Sequence, residues 1–312
     1  MSYCRIAGKH ATGGRRPGFS LLELMVALAV LLSVTGIVMS ALMQMITTQA
    51  TIANRTEMHS SVRSATEVLQ QEIGQAGRVA LPAPVTLSGA VALTGVATVV
   101  GVSSAAGMFT GEQLVIDAGS NQETVAVTAV VAATNQITAV FNNTHAIGVP
   151  VAAAGAFSSG VVPTNMANGS TSGVLKMYGD INGDGNMVYV EYKCDTAGGN
   201  LYRNSMPFTA ATKPALTSAQ VLLPNILANP GGTPCFSYQQ KTVGADTYVV
   251  DVAVTLTVQT QNPDPQSHQF QTETKALLNV SPRNVFEGWQ LASGSVTKRL
   301  QPMPASVTTL LP

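Results

Sequence analysis

The chain has 312 residues, of which 10% are charged, and its formal net charge is zero; an ordinary soluble domain carries roughly a quarter of its residues as charges. That length leaves room for one large or two small domains, while the lack of a basic surplus predicts no nucleic-acid partner. The four histidines, His10, His59, His145 and His268, form no spaced metal pair, and no nucleophile elbow or phosphate-binding glycine loop occurs, so nothing points to an enzyme.

The first residues are short and basic, with Arg5, Lys9, Arg15 and Arg16 and no acid before Glu23. By the positive-inside tendency this end stays in the cytoplasm. An apolar run follows from Phe19 to about Ile46, and between Arg16 and Arg55 the only charged side chain is Glu23. About 20 apolar residues suffice to span a bilayer, so residues 19–46 read as a transmembrane helix. A carboxylate there costs a few kcal/mol and marks a pairing or transport function. A secretory signal would place its small-residue cleavage site after the apolar region. Here Gly18 precedes it, so the helix survives processing. Arg15-Arg16 lacks the serine and lysine context of a twin-arginine signal.

Gly18 followed by Phe19-Ser20-Leu21-Leu22-Glu23 resembles the class III signal of type IV prepilins and pseudopilins. The resemblance implies that prepilin peptidase cuts after Gly18, removing a leader over 1–18, and methylates the new amino terminus at Phe19. Glu23 would then be the fifth mature residue, pairing with the terminal ammonium of a neighbouring subunit during assembly. Without the four leader cations, 12 basic side chains remain against 16 acidic ones.

Past Ile46 the pattern becomes amphipathic. Met58, Val62, Ala65, Leu69, Ile73 and Ala76 step by three and four and form one helical stripe. A helix over 19–80 is predicted, about 90 Å long at 1.5 Å per residue. Leu69 to Gly77 resembles the helix end of PilW-type minor pilins and J-type pseudopilins.

Residues 79–111 and 124–175 contain no charged side chain. Across this part of the chain 112–117, 123–130 and 137–141 alternate in the strand manner between turn signals, predicting an inserted β module over 85–153. Residues 154–175, rich in Ser, Asn and Gly, read as a linker. From 176 to 312 a pilin-like β head is predicted, with one hairpin around Met187–Arg203 and a second joining 250–258 to 270–280.

Asp180, Asn182, Asp184, Gly185, Asn186 and Glu191 fit a calcium-loop pattern, with Ca2+ as the ligand. The alternative is a polar turn whose Asp and Asn side chains cap their own backbone. Glu191 fits poorly, because a straight strand from Asp184 would carry it about 23 Å away. If Cys4 leaves with the leader, Cys194 and Cys235 remain for an exported, oxidising setting. Paired, they close a loop of about 40 residues, contributing about 3 to 4 kcal/mol; the alternative is two separate thiols.

The expected architecture is α+β: a long N-terminal helix packed on an antiparallel β head, with a small all-β module inserted. The expected role is a minor pilin that primes or caps a type IV pilus, single-pass in the inner membrane with a periplasmic head, then in the filament. Its partners would be prepilin peptidase, other major and minor pilins and the membrane itself. The alternatives are a minor pseudopilin of type II secretion and a pilus-tip adhesin acting through residues 85–153.

Overall fold

The computed structural model describes residues 18–93 and 95–310; the leader ahead of Gly18 and the last two residues lie outside them. Its contacts divide the chain into two compact units, one ending at Ala53 and one beginning at Asn54. Helix α1, Leu21–Gln75, contributes to both.

In the first unit α1 is apolar and bare. Every residue from Gly18 to Ile46 is exposed, including Phe19, Leu31 and Ile37. Two of its hydroxyls bond within the helix: Ser33 donates to the carbonyl of Ala29 at 2.8 Å and Thr35 to that of Leu31 at 2.7 Å. A helix whose backbone is bonded within itself and whose apolar faces are left uncovered is suited to a lipid surrounding.

In the second unit the stripe Met58, Val62, Ala65, Leu69, Ile73 and Ala76 is buried. α1 ends at Gln75, short of residue 80, because Gly77 takes φ +81° and turns the chain out of the helix. Seven short strands follow: β1 Val85–Thr86, β2 Ala97–Gly101, β3 Gln113–Ile116, β4 Glu123–Ala126, β5 Ala129–Val131, β6 Gln136–Val140 and β7 Pro150–Ala153. They make two antiparallel sheets, ordered β1-β7-β3-β4 and β2-β6-β5. Alternation drives Leu114, Ile116, Val125, Ile137, Ala139 and Phe141 into a core of their own between these sheets.

The predicted linker is instead part of the head. Strand β8, Ala156–Phe157, lies there, and Phe157, Val161 and Val162 are fully buried. Its glycines serve close packing rather than flexibility. A Cβ on Gly160 would fall 2.1 Å from Cα of Gly77, and one on Gly155 would fall 1.6 Å from the carbonyl oxygen of Arg299.

Strands β9 Val174–Gly179, β10 Val188–Asp195, β11 Asn200–Pro207 and β12 Val221–Pro224 form an antiparallel sheet in the order β12-β11-β10-β9. Next come β13 Ile226–Leu227, β14 Phe236–Val243, β15 Asp246–Gln259 and β16 Thr272–Val280, with β13, β14 and β16 all paired to β15. The α1 stripe shares one core with Leu175, Met177, Val190, Tyr192 and Leu201 of the first sheet and with Val252, Val254, Leu256 and Val258 of the second. Each fully buried large aliphatic, such as Leu69, contributes about 1.5–3 kcal/mol.

The β head read to residue 312 gives way to helix after Pro282. Helix α2, Arg283–Ser293, buries Val285 and Ala292 against Tyr248 and Val250. Strand β17, Leu300–Gln301, pairs in parallel with β8, and α3, Ala305–Thr309, follows. The spacing of Val285, Trp289 and Ala292 by four and three after a proline carries this helix.

Gly160→Ala should destabilise the second unit by about 1–3 kcal/mol, since both backbones at the contact must move. Urea denaturation of the full chain in detergent, followed by fluorescence of its single tryptophan, Trp289, measures it.

Candidate functional site

Gly18 and Phe19 lie directly ahead of α1, both exposed, Phe19 at 85%. Glu23 sits in the first helical turn, and its Oε2 accepts the backbone N–H of Ser20 at 3.3 Å. That is the reach-back half of a capping box. The carboxylate thus stays beside the helix N-terminus, where the backbone dipole favours negative charge, one residue from the amine that cleavage at Gly18 would free.

The loop after β9 is closed by its own donors and by an arginine. Asp180 is fully buried; its Oδ1 accepts the N–H of Gly185 at 3.1 Å, and its Oδ2 lies 3.4 Å from Nε of Arg78. Oδ1 of Asp184 accepts the N–H of Asn186 at 2.9 Å, while the side chains of Asn182 and Asp184 face solvent. Gly185, at φ +82°, lets the loop approach the chain at Leu81 and Pro82. Glu191 does not join this loop. It sits in β10 opposite Lys176 and Asn204, and its Oε2 accepts from Lys213 Nζ at 2.6 Å. Among the described residues, no three His, Cys, Asp or Glu side chains converge to hold a metal. Cys194, in β10, is joined to Cys235, just ahead of β14, with Cα atoms 6.4 Å apart.

Sequence reasoning assigned no role to three buried polar groups. Glu72, within the apolar stripe of α1, accepts Nη2 of Arg203 at 2.6 Å and the hydroxyl of Tyr192 at 2.6 Å, tying helix to sheet. An acid between Leu69 and Ile73 on a core-facing stripe was the available signal. In the β module, His145 is buried with Nδ1 3.2 Å from Asp117 and Nε2 2.7 Å from Glu123. Only an imidazolium donates from both nitrogens at once. The amide of Ala118, then His145, hold Asp117 below the usual carboxylate range. Burial works to raise Glu123, but hydrogen bonds from His145 and from the amides of Asn142 and Asn143 outweigh it and hold this acid low as well.

The third group, Glu112, is fully buried ahead of β3. Burial pushes its carboxyl up to about 8, against a weaker opposing hydrogen bond from the N–H of Phe109.

A cation entering the loop at Asp180 must displace Arg78. Calorimetric titration with calcium should therefore give no heat with the wild type at millimolar calcium. Arg78→Ala, which leaves Asp180 without its counter-charge, should bind.

Glu112 keeps its proton in the folded chain up to about pH 8, whereas an unfolded chain releases it near the ordinary value of 4.5. The folded state therefore holds more protons between those values, and stability falls as pH rises through that window. Glu112→Gln should flatten this fall, raising the denaturation midpoint at pH 8 and leaving it nearly unchanged at pH 4.

Residues 14–42 match the family described as the prokaryotic N-terminal methylation motif. No curated protein matches the chain. The motif spans Gly18, Phe19 and Glu23 and the first half of the bare apolar helix. Residues 14–42 thus carry the class III signal of a type IV pilin-like precursor, a motif that implies processing by prepilin peptidase and assembly with other pilins in a membrane.

Proposed function

We propose that the chain is a minor pilin of the PilW kind that starts or caps a type IV pilus. The N-terminus faces the cytoplasm until cleavage, and the head lies on the periplasmic side of the inner membrane until assembly. The observation that carries this reading is the lone carboxylate of Glu23, held in the first turn of α1 directly after Gly18 and Phe19, in an exposed stretch to Ile46 that carries no other charge. Two charges each costly in lipid offset one another when Glu23 meets a neighbour's terminal ammonium.

The tip position is supported by the module over residues 85–153. A shaft subunit would have to fit this added bulk at every repeat, whereas a subunit at the end has no neighbour beyond it. A minor pseudopilin of type II secretion shares these features, and the genes beside this one separate the two.

Gly18→Arg should leave the precursor uncut in the membrane, since a long cation replaces the small residue at the cleavage site. Glu23→Leu should insert and be processed but enter filaments at least about tenfold less, because the partner ammonium loses its counter-charge. Blotting of membrane and sheared-filament fractions reads both. Mature protein beginning anywhere but Phe19 in N-terminal sequencing would overturn the reading.

A further inference from the structure

The face of the β12-β11-β10-β9 sheet turned away from α1 carries an uneven charge cluster. Register places Lys176 of β9, Glu191 of β10 and Asn204 of β11 in one row across three strands. Residues directly opposite in antiparallel strands share a face, so these side chains are neighbours. Lys176 and Asn204 are 5% and 4% exposed. Residues 208–217 cross over the row. Lys213 Nζ sits 2.6 Å from Glu191 Oε2 and 5.7 Å from the centre of the Tyr189 ring. Asn204 Nδ2 donates to the carbonyl of Pro214, the residue after Lys213, at 3.0 Å. The hydroxyl of Tyr189 donates to the same Glu191 oxygen at 3.1 Å.

Two amines thus face one carboxylate in a nearly dry place. Among the described residues Lys176 has no ion pair and its Nζ no hydrogen bond. Burial and then the charge of Lys213 hold the Lys176 ammonium below the usual lysine range, with Glu191 pulling the other way. Burying a surplus charge is costly unless it is neutralised or paired.

We propose that Lys213 and Asn204 condense to an intramolecular isopeptide bond, with Glu191 carrying the protons. The Lys213 ammonium gives a proton to Glu191 across their hydrogen bond, and the neutral Nζ attacks Cγ of Asn204. The Nζ–Cγ bond forms and the Cγ–Nδ2 bond breaks. Glu191 passes the protons to the departing nitrogen, which leaves as ammonium. No oxidant or other reagent is consumed. Afterwards one amine and one carboxylate remain in the row, and Glu191 is free for Lys176 on the adjacent strand. Tyr189 and Met206, in the neighbouring row of the same face, help keep water away.

Mass spectrometry of the full chain purified in detergent tests the bond. Trypsin cuts after Arg203 but not between Lys213 and Pro214, so both residues stay in one peptide. The expected peptide is lighter by one ammonia and gives no backbone fragments between 204 and 213. A peptide of full mass overturns the proposal. So does a lighter peptide that still fragments between those positions, the mark of a succinimide at Asn204, or a link from Asn204 to Lys176. Glu191→Gln should return the peptide to full mass while Trp289 fluorescence still reports a cooperative unfolding transition. A Glu191→Gln chain that remains cross-linked denies Glu191 its part.

Discussion

The second unit is organised around what α1 must bury. Six residues from Met58 to Ala76 form a stripe too apolar to face water, and strands from two different sheets converge on it. Packing against a stripe alone leaves rotation and sliding weakly specified. The contact of Glu72 with Arg203 and Tyr192 removes that freedom, because a carboxylate 8% exposed tolerates only positions where both donors reach it. Separating the partners would strand a buried charge, which costs about 3–5 kcal/mol. The apolar stripe therefore supplies the driving force, and the polar clasp fixes the register between helix and sheet.

Much of this was legible in the sequence where periodicity ran long. The stripe repeats over five intervals, and the alternation of Val250, Val252, Val254, Leu256 and Val258 with that of Thr272, Thr274 and Ala276 made the long hairpin of β15 and β16 readable. The lone Glu23 in an uncharged run was legible for the same reason, since a single exception to a strong pattern carries information. What failed was composition. Gly155 and Gly160, read as marks of a linker, are small because another backbone lies against them. A glycine needed for close approach and a glycine needed for flexibility look alike in one sequence.

The loop at Asp180 shows the same limit for chemistry. Its spacing matches a cation-binding pattern, yet the positive charge beside the buried carboxylate comes from Arg78, about a hundred residues earlier in the chain, which the pattern never samples. Short motifs record the order of oxygen atoms along the chain and not what the rest of the fold places over them. The contacts of Glu72, Lys213 and His145 were not foreseen on similar grounds, because their partners lie 22 or more residues away in sequence.

Strands β1 and β7 open and close the β module, and they pair with each other, Val85 opposite Val151 and Thr86 opposite Pro150. The polypeptide enters and leaves this module at positions about 5 Å apart. Seen from the rest of the head, the module is a loop whose two ends are neighbours, tied to its surroundings by Phe109 on Phe157 and Phe208 and by the bonds between Gln113 and Gln301. Another domain with adjacent termini could enter at that position without re-registering the sheets around α1, provided that it covers the aromatic surface that Phe109 now fills.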